Sequence, residues 1–238
     1  MNIQGKTVFV TGANRGIGAE LVRALLKHGV GKVYAGARNP ETLPDFGDNR
    51  VSAIKIDITK ADEVTAAAAS VGGVDILVNN AGVMHVNGIL TATSAELAGD
   101  IEVNYYGTLR VIQTFAPLIE KNGGGVIANV LSVLALAPMA PVAGYSVSKA
   151  ALHSATQAAR GALKAKNIKV VGIFPGPIDT ELSSGLPIDK TSPDVAAEAI
   201  VQGFIDDLED IYPDPVSQQV SGFWGSNPKG LEHHFASL

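Results

Sequence analysis

Along this chain the apolar residues form short unbroken runs, separated by longer stretches in which they recur every three or four positions. Unbroken β-branched runs bounded by turn residues predict buried strands; the wider spacing predicts helices packed on one face. Runs at 6–10, 32–36, 51–56, 74–78, 126–131 and 168–174 give six strands. After the first comes Thr11-Gly12-Ala13-Asn14-Arg15-Gly16-Ile17-Gly18, and then Ile17, Leu21, Leu25 and His28 step along one helix face. Further helices are predicted at 61–71, at 93–113 (carrying Asn104), at 145–166 and at 193–208. Strands alternating with helices predict an α/β fold, a doubly wound parallel sheet with helices on both faces. No repeat, linker or composition shift divides it, so residues 1–238 read as a single domain.

Two stretches resist this pattern. From about 178 to 193 the residues are those of turns, and the segment is either a substrate lid or a passive surface excursion. Beyond Glu209 a seventh strand is visible at most as a shortened one at Ile211-Tyr212. Phe223 and Trp224 read as core or subunit packing rather than substrate contact.

Composition narrows the function. With 238 residues, 46% apolar and 17% charged, the chain can bury a sizeable core. A net charge of -5 without a basic cluster argues against a nucleic-acid partner. There is no cysteine, hence no disulfide framework and no thiol nucleophile. The five histidines show no ligand spacing, so no metal is expected, and His233-His234 reads as a surface pair. Asn122 to Ser148 carries no charge, but Pro138, Pro141 and Gly123-Gly124-Gly125 break any membrane helix there. A buried strand followed by a pocket loop accounts for it better. Met1-Asn-Ile-Gln-Gly-Lys lacks the apolar run of a signal peptide, so a cytoplasmic protein without membrane contact is expected.

Candidate chemistry sits where predicted strands end. A glycine-rich turn between a strand and a helix N-terminus is a phosphate site, because glycines allow close approach and free N–H groups attract the anion. The second strand ends Ala37-Arg38, with no acidic residue before Glu41. An acid there would bind the free 2′-OH of NAD, whereas arginine suits a 2′-phosphate. Arg15 approaches the same phosphate from the other side. Farther on, Ser132 ends the fifth run, and Tyr145 and Lys149 stand four apart at a helix start, on one face. A phenol ionises near pH 10. A lysine ammonium about 4 Å away, at an effective dielectric of about 20, would favour phenolate by about 4 kcal/mol. Such a hydroxyl, phenol and amine form a proton-transfer set.

Taken together, Thr11-Gly-x-x-x-Gly-Ile-Gly18, Asn79-Asn-Ala-Gly82, Asn104, Ser132, Tyr145-x-x-x-Lys149 and Pro175-Gly-x-x-x-Thr180 resemble the short-chain dehydrogenase/reductase family in order and spacing. The match runs from Lys6 to Thr180 and implies a Rossmann-like fold of about seven strands. It implies that Tyr145 is the general acid/base, that Lys149 lowers its pKa and binds the nicotinamide ribose, that Ser132 bonds the substrate oxygen, and that Asn104 holds a water linking Lys149 to solvent. By the same resemblance Gly12, Asn14, Arg15, Gly16, Ile17, Gly18, Ala37 and Arg38 hold the phosphates. Asp57, Ile58, Asn80, Ala81, Gly82 and Val103 surround the adenine side, and Pro175, Gly176, Ile178 and Thr180 the nicotinamide. The expected cofactor is NADP(H).

Met84, His85, Leu134, Pro177 and the segment from Glu181 to Leu186 are the expected pocket walls. Being mostly apolar, they suit a hydrophobic ketone or aldehyde. The expected activity is that of a carbonyl reductase or alcohol dehydrogenase. The alternatives are an acyl-carrier-protein, steroid or sugar ketoreductase, or a dinucleotide sensor without turnover. Alanines at 150, 151, 155, 158, 159 and 162 exceed what one core face needs, so a homodimer or homotetramer packed on helices 93–113 and 145–166 is expected.

Overall fold

The computed structural model describes residues 1–185 and 188–237. Its strands are β1 (Thr7–Thr11), β2 (Lys32–Ala37), β3 (Val51–Lys55), β4 (Ile76–Asn79), β5 (Gly125–Val130), β6 (Ile168–Ile173) and β7 (Asp210–Ile211). All pair in parallel, in the order β3-β2-β1-β4-β5-β6-β7. Both faces of the sheet are covered, and for that reason the strands read as unbroken apolar runs. Val8 and Val10 of β1 point into one layer, against α1 (Gly16–Lys27) and α6 (Pro193–Ile205). Phe9, between them, points into the other layer, against α2 (Ala61–Ser70) and α4 (Thr108–Lys121).

A third apolar cluster lies beyond the C-terminal ends of β5 and β6. There Leu131, Leu134 and Phe174 meet α5 (Ala143–Leu163) and two tail helices, α7 (Pro215–Ser226) and α8 (Pro228–Ala236). Beneath it runs a buried polar chain. Asn79 Nδ2 donates to Asn129 Oδ1 at 2.8 Å, Asn129 Nδ2 to Thr156 Oγ1 at 2.9 Å, and Thr156 Oγ1 to the Leu152 carbonyl at 2.8 Å. It ties β4, β5 and α5 at fixed register.

Several expectations need correcting. The helix expected over 93–113 is in three parts: α3 (Ser94–Ile101), a π-helical turn at Glu102–Gly107, and α4, which continues to Lys121. A Thr93–Glu96 capping box starts α3. Helix α5 begins at Ala143, so Tyr145 lies inside its first turn rather than at its start. The fourth strand starts at Ile76 rather than Val74, and the helix expected over 193–208 ends at Ile205. The seventh strand is present, two residues long. The tail helices were not expected. Phe223 and Trp224, on α7, are 37% and 39% exposed, so neither belongs to the core. In the segment from 178 to 193, Glu181–Ser183 form a 3-10 turn and Ile178 pairs with Thr191, while Leu186 and Pro187 lie outside the described residues. No helix among the described residues is long and apolar enough to cross a membrane.

Candidate active site

Strand order reverses between β1 and β4. The segments leaving these neighbouring strands diverge, and a continuous cleft of about 1020 Å³ opens above them. The two turns beside it are stitched together. Asn80 Nδ2 donates to the Thr11 and Gly12 carbonyls, both at 3.0 Å, and Thr11 Oγ1 accepts from the N–H groups of Asn80 at 3.0 Å and Ala81 at 3.1 Å. Only glycine fits the approach. A Cβ on Gly12 would lie 2.8 Å from the Ala81 Cα, and one on Gly18 would lie 2.2 Å from the Gly12 oxygen. Helix α1 opens on the cleft with no side-chain cap at Arg15 and no acid in its first turn. Its free N–H groups and positive dipole end thus face the space. This cradle and donor set fit a dinucleotide pyrophosphate.

Of the cofactor and catalytic residues expected from the sequence, all but Gly18 and Asn104 line this one cleft. Gly18 instead sits behind the turn, against Gly12. Arg38 is exposed at the end of β2. Burial opposes ionisation of Asp57, but bonds from Thr59 Oγ1 at 2.7 Å and Thr59 N–H at 3.0 Å, with Lys60 and Arg38 nearby, hold its carboxyl below the usual range. Arg15 reaches across the cleft to Glu181 on the opposite lip. Both side chains are more than half exposed, so the pair contributes little and leaves the guanidinium available to a stronger anion.

The proton-transfer set assembles at the far end. Ser132 follows β5 in extended conformation, and its Oγ accepts from the Leu134 N–H at 3.1 Å, starting a 3-10 turn. Lys149, 4% exposed, donates from Nζ to the Val130 carbonyl at 2.7 Å and lies 5.6 Å from the centre of the Tyr145 ring. Here the expected electrostatics are corrected. Burial pushes the Tyr145 phenol up to about 12; the Ser132 hydroxyl opposes that rise and the charge of Asp100 adds to it. Burial pushes Lys149 down to about 8, opposed by Asp100. Burial is the largest cause of both shifts, and in both it favours the uncharged side chain.

Asn104 is fully buried in the π-helical turn, an interruption that frequently marks functional sites. Its Nδ2 donates to the Val83 carbonyl and to Ser148 Oγ, each at 2.8 Å, and its Oδ1 accepts from the Val83 N–H at 2.9 Å. A Cβ on Gly82 would stand 3.0 Å from that oxygen and 3.6 Å from Lys149 Nζ, so the glycine keeps the gap between them open.

The walls are those expected at Met84, Leu134, Pro177 and Glu181–Ser183, joined by Val216, His234 and Phe235 from the tail. His85 is not a wall residue: its Nδ1 lies 2.8 Å from Asp100 Oδ1, on α3. Leu186 lies outside the described residues. Sequence reasoning missed Asp214, whose Oδ1 caps α7 through Ser217 N–H at 2.9 Å while Oδ2 accepts from Gly176 N–H at 2.7 Å. It also missed Asn87, which holds the first turn of α5 by accepting from Ala143 N–H at 3.1 Å on its carbonyl and from Gly144 N–H at 3.0 Å on Oδ1. Asp214-Pro215 and Asn227-Pro228 carry a readable helix-start signal, a capping residue followed by proline. Asn87 carries none. Among the described residues no group of three or more His, Cys, Asp or Glu is placed to hold a metal ion.

Comparison with known proteins points to one family. The family model described as short chain dehydrogenase matches residues 6–190. An uncharacterized oxidoreductase of Staphylococcus saprophyticus is 34% identical over 193 residues, 77% of this chain and 82% of its own. An oxidoreductase of Passalora fulva is 33% identical over 206 residues, 82% of this chain and 94% of its own. A short chain dehydrogenase from Burkholderia cenocepacia, crystallised in complex with NADP, is similar with a TM-score of 0.93 and 37% identity over 99% of both chains.

Two glycines of α5 give a test of how tightly its first turn is set. A Cβ on Gly144 would lie 2.8 Å from Asp100 Oδ2 and 3.0 Å from Asn87 Nδ2, whereas one on Gly161 meets nothing within 4 Å. Gly144→Ala is expected to lower unfolding free energy by about 1–3 kcal/mol through overpacking. Gly161→Ala should raise it by about 0.5–1 kcal/mol, because alanine loses less backbone entropy in a helix. Urea titration of both variants checks the opposite signs, and equal effects would contradict the geometry.

Proposed function

This chain belongs to the short-chain dehydrogenase family, and on that footing we propose that it is an NADP(H)-dependent carbonyl reductase or alcohol dehydrogenase acting on a mainly apolar ketone or aldehyde. The observation that carries the reading is a buried phenol and lysine, with a serine hydroxyl beside them, at the apolar end of the dinucleotide cleft. The reduced nicotinamide, when bound, supplies the hydride. Ser132 Oγ, already accepting from the Leu134 N–H, turns its own O–H toward the substrate oxygen. Tyr145 gives its phenolic proton to that oxygen as the C=O bond becomes single. A phenol held at about 12 gives its proton readily to an alkoxide. Lys149 and Asn104, flanking the gap at Gly82, form the route by which the proton is replaced. Met84, Leu134, Leu182, Ile188 and Phe235 wall the substrate end, where Lys149 and His234 are the basic side chains; Arg15 and Arg38 lie on the dinucleotide side. An uncharged apolar substrate goes with that lining, and a cytoplasmic location goes with the cofactor.

The choice of NADP(H) rests on Arg38 and Arg15 at the adenosine end, with no acid at the end of β2. A 2′-phosphate carries roughly two negative charges, by analogy with other phosphomonoesters, and well-formed bonds to a guanidinium contribute about 1.5–3 kcal/mol each. The NADP carried by the Burkholderia cenocepacia structure supports this half of the reading. A homodimer or homotetramer is proposed as well. Val147, Ala150, Ser154, Ala158 and Ala162 form an exposed stripe of small residues on α5, and Tyr106 is 51% exposed in the π-helical turn.

Tyr145→Phe is expected to keep the fold and dinucleotide affinity and to lose about 10²–10⁴ in turnover; a variant reducing ketones at near the parent rate would remove the mechanism. Reduction, which needs the phenol, should hold through neutral pH. Oxidation of the alcohol, which needs the phenolate, should rise with pH toward the value of about 12 held by Tyr145. Ala37→Asp combined with Arg38→Ala should shift preference toward NADH, chiefly through KM. Equal kcat/KM of the parent protein for the two cofactors would refute the arginine argument. Light scattering at micromolar concentration should give a multiple of the 24.6 kDa chain mass, and the single mass would dispose of the assembly.

A further inference from the structure

Asp100 is fully buried near the end of α3. One oxygen, Oδ1, is 2.8 Å from His85 Nδ1, which donates its proton. The other, Oδ2, has no hydrogen-bond partner among the described residues. An unpartnered buried polar atom is costly, and more so if charged, so a structural role alone accounts poorly for it. Oδ2 is aimed at the start of α5: it lies 2.8 Å from where Gly144, the residue before Tyr145, would carry a Cβ. Helix α5 has no side-chain cap and no acid in its own first turn, so the buried carboxylate supplies from α3 the negative charge that a helix N-terminus favours.

We propose that Asp100, oriented by His85, is a positioning residue that keeps Tyr145 a proton donor and thereby poises the enzyme toward carbonyl reduction. This rests on the acid–base role proposed for Tyr145. In the reaction, the hydride of the reduced nicotinamide dinucleotide forms the new C–H bond, the C=O π pair passes to oxygen, and the Tyr145 O–H bond breaks as its proton moves to that oxygen. The products are the alcohol, the oxidised dinucleotide and a phenolate, which takes a proton from solvent. A fixed anion buried against the first turn of the helix that carries Tyr145 opposes every state in which the phenolate persists. In the reverse direction the phenolate must form first, and there Asp100 works against the reaction. Its charge raises both Tyr145 and Lys149, favouring phenol and ammonium together.

The titratable groups facing Asp100 are His85, from the segment after β4, and Tyr145 and Lys149, from α5; Glu96, on α3, faces His85 and is engaged by Thr93. At the alkaline pH where Tyr145 ionises, Lys149, held at about 8, is neutral, so the charge that raises the phenol there is that of the Asp100 carboxylate.

Asp100→Asn tests this without altering shape. The ionisation of Tyr145 is followed in the resting protein by ¹³C resonance of ring-labelled tyrosine, with Tyr145→Phe identifying the signal among the five tyrosines. The Tyr145 midpoint should fall by about one pH unit. The pH profile of alcohol oxidation should move acidward to match, and the ratio of oxidation to reduction kcat at neutral pH should rise about tenfold, the equivalent of that shift. His85→Ala, at a half-exposed position, lets water screen the carboxylate, so it should move the midpoint the same way by less and gives the reading if Asp100→Asn fails to fold. A Tyr145 midpoint unmoved in the folded variants overturns the proposal, as does an unchanged kcat ratio. Full turnover by Tyr145→Phe would instead overturn the acid–base role, while the resonance still reports the effect of Asp100 on the phenol.

Discussion

The molecule depends on the stitched crevice between the ends of β1 and β4. A parallel sheet leaves its C-terminal edge open wherever neighbouring strands send their connections to opposite faces, and an open edge exposes carbonyls and N–H groups that require partners. Here one side-chain amide, that of Asn80, takes two carbonyls of the glycine turn, and one hydroxyl, that of Thr11, takes two N–H groups of the opposing turn. With those four bonds closed within the rim, the first turn of α1 keeps its own N–H groups for a ligand. The glycines then become obligatory, since the rim is drawn so tight that a methyl group would strike backbone.

At the other end of the cleft the governing effect is desolvation. Tyr145, Lys149 and Asp100 are all removed from water within one small region. Each would be more stable solvated, and for Tyr145 the apolar cluster of Leu131, Leu152 and Phe174 supplies the burial. Charge in such a place is weakly screened, so one carboxylate on α3 acts on both α5 side chains. The π-helical turn at Glu102–Gly107 belongs to the same design: by widening one turn it carries the buried Asn104 against Val83 and Ser148, at a loss of regular α-helical bonding.

Much of this was legible in the sequence because it is local. Strands buried on both faces are unbroken apolar runs, and the glycine turn, Ser132 and the Tyr145–Lys149 spacing are each contained within a few residues of a predicted strand end. What escaped was of two kinds. Asp100, His85 and Asn87 are isolated polar residues whose meaning arises from contacts across the fold, Asn87 with Gly144 being 57 positions away. No periodicity marks them. The ionisation of Tyr145 escaped because a separation in sequence gives the attraction of Lys149 but not the depth of burial, and burial set the sign. The tail helices are a different matter, since Asp214-Pro215 and Asn227-Pro228 announce them.

Asp214 joins two parts of the chain with separate tasks. Its carboxylate starts the helical tail, which supplies Val216, His234 and Phe235 to the wall of the cleft, and it also fixes Gly176 in the same lining. One buried side chain is thus the pin that couples the tail to the rim of the sheet. A change at that single position is therefore felt in two places at once, loosening the start of the tail and the backbone of the cleft together.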